Sequence, residues 1–333
     1  MPGYALLMLN PWLVQSTTLM LTDLSAACAV AWSFLLLWEN QRRPMRTETI
    51  YWGVLLLGVA GMIRPGMLIF TPLYMLVYAF RFLTEDGLSF RYFLRPIPLA
   101  SILFAAVLLP QVIFNFYHAP EVRFPIIADL MKEQRKMSDF YLKYGTFYKN
   151  GRTVACRFII PAYHKYPDAE SFVSEAPGKV RLTKLVHIPA VLDQGEMGSL
   201  DSYMIERPKW LHALAVLGNW LFWFGAASGI VLGLGSRGIR RRTLLLALPI
   251  FGYLLFMTQT VVESRFVYPA LLLALPLCIQ GTSLILQKAG LGLRTSSEER
   301  IRCFRRIAVL LIVLLAYLGL CLWFHTWIDR TAC

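Results

Sequence analysis

The chain has 333 residues, 57% of them hydrophobic and 14% aromatic, with a mean hydropathy of +0.53 and a formal net charge of +13. A soluble domain averages about 45–50% apolar. Several apolar runs here approach or exceed the roughly 18–20 residues that cross a bilayer, so the composition excludes an ordinary soluble domain and indicates a polytopic membrane protein. The charge does not point to nucleic acid, because most basic residues lie in short loops between apolar runs, where they set topology.

The first stretch, MPGYALLMLNPW, has no basic n-region and an early proline, unlike a signal peptide. Residues 4–14 read as an apolar half-span closed by Asn10-Pro11-Trp12, like the end of a membrane helix whose start is missing. Residues 17–38 form the first full span. Its clean part, 24–38, is about 22 Å long as helix, which puts Asp23 near an interface. A loop at 39–49 carries Arg42, Arg43 and Arg46.

Residues 50–83 are too long for one span and short for two, and Arg64-Pro65-Gly66 breaks them near the middle. Proline cannot donate in a helix interior and pushes the residue before it out of α geometry. The stretch is therefore read as a tight helical hairpin turning at Arg64. The next loop carries Arg81, Arg91 and Arg95, and a further span covers 96–116.

Residues 117–209 are the one long polar segment. It is expected to start helical (126–144), become irregular at 145–152 and continue with a strand-like CRFII. Spans follow at 210–234, 243–262, 266–286 and 307–327, separated by the basic loop SRGIRRR, a turn holding Glu263 and Arg265, and a basic loop at 287–306. The fold expected is an all-α polytopic membrane protein of about eight transmembrane helices plus a half-span. One small mixed α/β extracytoplasmic lobe is expected at 117–209, between membrane parts at 1–116 and 210–333.

Alternating sides from Arg42/Arg43/Arg46 puts sixteen Lys/Arg in the inside loops and almost none in the short outside turns, as the positive-inside rule requires. The same parity puts Asp23, Arg64, Glu263, Arg265 and the whole of 117–209 on one outer face. The six cysteines show neither metal-ligand spacing nor a disulfide framework and are expected to be free.

Arg64, Asp23 and the Glu263/Arg265 pair each have two readings. Arg64 is either an interfacial arginine snorkelling to headgroups or a phosphate ligand, since its planar fork suits phosphate. Glu263 and Arg265, two residues apart, would point to different sides of a helix. They are either a solvated turn or a site in which Arg265 holds an anionic group. Asp23 is either a helix N-cap or a site carboxylate. His118, Glu121 and Arg123 lie just beyond the span ending at 116, where they would line a membrane-facing cleft. His164 and His187 lack metal spacing, and no phosphate-binding glycine loop or nucleophile elbow is present.

Four stretches then resemble bacterial polytopic glycosyltransferases of the GT-C superfamily: NPWLVQSTTLMLTDLSAACAVAWSFLLLW, GVAGMIRPGMLIFTPLYML, LLPQVIFNFYHAPEVRFPI and VVESRFVYPALLLALP. The order and topology of these short motifs carry the resemblance over nearly the whole chain. It implies a transferase on the outer face of a bacterial inner membrane. The enzyme would pass a sugar from a polyprenyl-phosphate-linked donor to a lipid, glycan or protein acceptor. In such enzymes an acidic residue of the first outer loop acts as general base or binds metal, so a divalent metal is the one cofactor the resemblance brings in. That loop is expected to precede residue 1. Within this sequence the carboxylates left for the chemistry are Asp23, Glu121 and Glu263, with Arg64, Arg265, His118 and Arg123 as binding residues. A transporter or flippase of lipid-linked sugars and a non-catalytic membrane scaffold remain as alternatives.

Overall fold

The computed structural model of the protein describes residues 22–39, 47–83, 90–118, 137–149, 152–193, 209–259, 267–288, 297–327 and 329–331. Helix dominates. In a bilayer the backbone must satisfy its own hydrogen bonds, and an α-helix does so within one segment. The first half of the chain gives α1 (Thr22–Glu39), α2 (Thr47–Ile63), α3 (Phe70–Leu83), the short α4 (Phe90–Leu94) and α5 (Ile97–His118). After the lobe come α8 (Lys209–Leu234), α9 (Arg240–Met257), α10 (Tyr268–Lys288) and α11 (Ser297–Trp327).

Among the described residues, five helical stretches are long and apolar enough to cross a membrane: Pro65–Leu83, Phe90–Phe114, Val216–Leu234, Tyr268–Lys288 and Arg305–Trp327. The apolar helices Leu24–Trp38 and Thr47–Ile63 are shorter, and α9 opens on Arg240-Arg241-Arg242. Full spanning character is thus seen in five helices among the described residues. The half-span at 4–14 lies outside the described residues.

The break at Arg64 turns the chain as proline chemistry dictates. Arg64 is extended (φ −146°, ψ 106°), and a 3-10 turn, Pro65–Ile69, leads into α3. α3 then runs back along α2. The Tyr74 hydroxyl donates to the Thr49 carbonyl at 3.3 Å, and a Cβ at Gly53 would strike the Tyr74 ring. Arg81 is not in a loop, as its basic neighbours suggested, but in the last turn of α3, fully buried. Its Nη1 donates to the Leu37 carbonyl at 2.6 Å. A cation there meets the negative end of α1, where such pairing contributes about 0.3–1 kcal/mol and up to about 2 in partly buried settings.

α8 and α10 pack backbone to backbone. Gly225, Gly229 and Gly233 recur every four residues on α8, and a Cβ at Gly229 would overlap the Leu277 carbonyl of α10. A Cβ at Gly281 would likewise overlap the Gly225 carbonyl. Small residues spaced by four let membrane helices approach this closely. Gln280 of α10 closes the far end of the pair, donating to the Gly229 carbonyl at 3.0 Å and to Thr243 Oγ1 of α9 at 2.9 Å.

The lobe is built on an antiparallel sheet in the order β1-β2-β3. β1 (Lys143–Lys149) pairs with β2 (Arg152–Ile159) from Lys143↔Phe158 to Lys149↔Arg152. β3 (Asp329–Thr331), which follows α11, pairs with the end of β2. Of the helix expected over 126–144, residues 126–136 lie outside the described residues, 137–138 are helical, and the chain is strand from Lys143; the described part of the stretch expected to be irregular, 145–149 and 152, is strand. The alternation of Tyr144, Thr146 and Tyr148 with other residues suits a strand. Two helices follow, α6 (Ala169–Glu175) and α7 (Pro177–Leu192). Asp168 caps α6 by accepting from Ser171 N–H at 2.8 Å, a bond that holds its carboxyl below the usual range. Phe140, Tyr163, Tyr166 and Phe172 form the aromatic core of the lobe, and Phe324 from α11 joins it.

Candidate functional site

Hydrogen bonds sort the helix termini into two groups. At one end, Arg81 near the close of α3 reaches the close of α1, and Arg241 at the start of α9 donates to the Arg81 carbonyl at 3.1 Å. At the other end the lobe meets α8 at Asn219 and Trp220, near the head of its apolar window, and meets the close of α11. Because α2 runs toward Arg64 and α3 runs back, the Arg64 turn belongs to the end opposite Arg81. The candidate site is built at the lobe-bearing end.

Its centre is Asp193, the residue that ends α7. Asp193 is buried. Trp220 Nε1 of α8 donates to its Oδ1 at 3.2 Å, and His325 Nδ1 of α11 lies 3.1 Å from both carboxylate oxygens. A carboxylate only accepts, so the proton of this bond sits on Nδ1. The Trp220 ring stands edge-on to the imidazole at 5.7 Å. Asn219, one residue earlier, donates to the Leu192 carbonyl at 2.7 Å and satisfies an orphan carbonyl of the α7 terminus. A carboxylate that orients an imidazole is the arrangement by which enzymes fix a general base. Here the side chains of His325 and Asp193 are only 16% and 6% exposed. Their chemistry is to lock α7, α8 and α11 together at the mouth of the bundle.

A second polar knot lies in the same lobe. Lys184 Nζ of α7 is 2.8 Å from Asp139 Oδ1 and donates to Ser138 Oγ at 2.6 Å. One turn on, His187 is fully buried, and its Nε2 donates to the Tyr141 carbonyl at 3.0 Å. Burial pushes the His187 pKa down to about 4, helped by the Lys184 charge and opposed by the carbonyls of Tyr141, Met257 and Ser138. His187 is thus held neutral where the lobe rests on the close of α9.

The residues picked out from the sequence fall as follows. Arg64 is half-buried at the hairpin turn; its N–H donates to the Ala60 carbonyl at 2.8 Å and its own carbonyl accepts from Met67 N–H at 2.9 Å. Asp23 lies in the first turn of α1 rather than before it, and His118 is the last residue of α5. Glu121, Arg123, Glu263 and Arg265 lie outside the described residues. No group of three or more His, Cys, Asp or Glu side chains among the described residues could hold a metal ion. Asp193, Trp220 and His325 were not singled out in the sequence. They lie up to 132 residues apart with no motif spacing, and the only local hint was a histidine in the last turn of an apolar helix. Comparison with protein-family models, with curated proteins and with solved structures finds no match to this chain.

Proposed function

We propose that the chain is a membrane glycosyltransferase resembling the GT-C superfamily, or the part of one that holds its lipid-linked donor. In this reading the lobe-bearing end faces outward from a bacterial inner membrane. Arg64 and Arg265 hold the phosphate of a polyprenyl-phosphate-linked sugar, and the acceptor is a lipid, glycan or protein hydroxyl. A carboxylate, from Asp23, Glu121 or Glu263, takes the acceptor proton as the oxygen attacks the sugar. The polyprenyl phosphate leaves with the bond's electron pair, its charge met by the arginines.

The observation that carries the reading is the Arg64 turn and its surroundings. A lipid-phosphate donor is amphipathic and needs a fixed cation beside an apolar track. Arg64 sits in an extended break between two apolar helices. A Cβ at Gly61, three residues before it, would be in contact with Leu108 of α5. On α5, Leu109, Val112 and Ile113 are exposed, which offers a prenyl chain a wall beside the cation.

The test is sugar transfer from a polyprenyl-phosphate donor by the full chain in proteoliposomes. Each charge-assisted contact to phosphate contributes about 1.5–3 kcal/mol, so Arg64→Ala should cut transfer roughly 10- to 100-fold. Arg64→Lys should restore part of it, and Arg237→Ala at the opposite end should leave it unchanged. Unchanged transfer in both Arg64→Ala and Arg265→Ala sinks the phosphate clamp. Movement of the intact donor across the bilayer without sugar transfer would favour the transporter instead.

A further inference from the structure

At the end of the bundle away from the lobe, where α10 closes and α11 enters its apolar stretch, lies a cavity of about 530 Å³. Its lining residues are Lys288, Arg305, Arg306, Val309 and Leu310. The volume falls within the roughly 300–1,000 Å³ of small-molecule sites. Three cations converge on it. Arg306 Nη1 donates to the Lys288 carbonyl at 3.4 Å, which draws its guanidinium over the last turn of α10. Among the side chains the structure describes, no carboxylate forms an ion pair with any of the three. Like charges gathered in one cavity repel, and an anion placed among them relieves that repulsion.

The other half of the cavity is apolar and continues beyond it. Val309 is exposed, and so are Ile312 and Val313, three and four residues further along α11. Residues at that spacing share a helix face, so an apolar track leads from the cations along the helix. Cations at the head of an apolar track match an amphiphile with an anionic head. Basic pockets between membrane helices are known binding places for acidic lipid headgroups.

We propose that this cavity binds the phosphate of an anionic phospholipid, with an acyl chain lying along Val309, Ile312 and Val313. The site is separate from the donor site proposed at Arg64 and lies at the opposite end of the bundle. It does not depend on the transferase reading. A free phosphate would share the cations but not the track, and the two ligands are separable by experiment.

The full chain, purified in neutral detergent, is incubated with phosphatidylglycerol or phosphatidylcholine, and retained lipid is counted by native mass spectrometry. One phosphatidylglycerol per chain is expected, with phosphatidylcholine retained about tenfold less. Inorganic phosphate at millimolar concentration should fail to displace the lipid. The double variant Arg305→Gln/Arg306→Gln should lower phosphatidylglycerol retention about tenfold. In the unmodified chain, a tenfold rise in salt should also lower retention, which keeps the test independent of how the variant folds. Equal retention of the two lipids, retention unchanged by salt or by the double substitution, or displacement by inorganic phosphate would each overturn the proposal.

Discussion

The α8/α10 pair and the outlying helices α5 and α11 meet their surroundings in opposite ways. Half of the spanning window of α8 and 44% of that of α10 are buried, against 6% for each of the windows containing α5 and α11. Yet the outlying pair is the more apolar of the two. In water this would be inverted, but lipid tails are as apolar as leucine, so apolarity gives no reason to pack. What distinguishes the central pair is small residues. Gly225, Gly229 and Gly281 let backbones touch and Gly233 leaves room for the Thr243 and Gln280 side chains, while Gly319 of α11 has nothing within 4 Å of where a Cβ would stand. Packing here is written in glycine positions, and lipid exposure in unbroken leucine, isoleucine and valine.

The sharpest way to break this contrast is to put the same side chain on both helices. Gly229→Leu would drive a side chain into the Leu277 carbonyl and must separate α8 from α10. Overpacking costs typically about 1–3 kcal/mol and occasionally more, and with backbone as the obstacle the upper end is expected. Gly319→Leu should change stability by less than about 0.5 kcal/mol. Thermal unfolding in detergent reads both, and equal effects would erase the distinction.

A comparably large effect is expected from acid at the lobe. The folded-state pKa of His187 lies near 4, below its ordinary 6.5, so the unfolded chain binds more protons between those values. The stabilisation is complete above about pH 6.5 and is lost as pH falls toward 4. At 1.36 kcal/mol per unit the loss approaches roughly 3 kcal/mol. His187→Gln should flatten that part of the pH–stability curve; an unchanged slope would show that other groups carry it.

The outlying helix α11 touches little along its length but is held at its end by Asp193, Phe324 and β3. Asp193→Ala leaves Trp220 Nε1 and His325 Nδ1 without their acceptor, at about 1–3 kcal/mol for unsatisfied buried groups. The loss should be local. Hydrogen exchange should quicken over residues 320–327 and stay as it was in α8 and α10. A uniform change across the bundle would mean that α11 is not tethered by its end.

Proline chemistry made the hairpin at Arg64-Pro65-Gly66 legible in the sequence, because it acts locally. Arg81 was misplaced because a count of charges does not reveal that α3 continues through it and that its partner is the Leu37 carbonyl, 44 residues back. The α8 glycines carried a readable four-residue period that apolar scanning passed over. The Asp193–Trp220–His325 knot had no such signal, since it exists only where the ends of α7 and α11 meet the middle of α8. The first strand was hidden because Lys143 and Tyr144 continue a stretch whose charge and methionine content suit a helix.

The central claim is that the Arg64 turn and the lobe share one face of the membrane, opposite the basic turn between α8 and α9. Three glycines with open space around them, Gly66, Gly178 and Gly238, give clean reporters of these places. Each is changed to cysteine in a chain whose six native cysteines are alanine. Intact cells are then treated with a membrane-impermeant maleimide. Gly66→Cys and Gly178→Cys should label from outside, and Gly238→Cys only after the membrane is permeabilised. Labelling of Gly66→Cys and Gly178→Cys from opposite sides, or of Gly238→Cys together with them, would contradict the account.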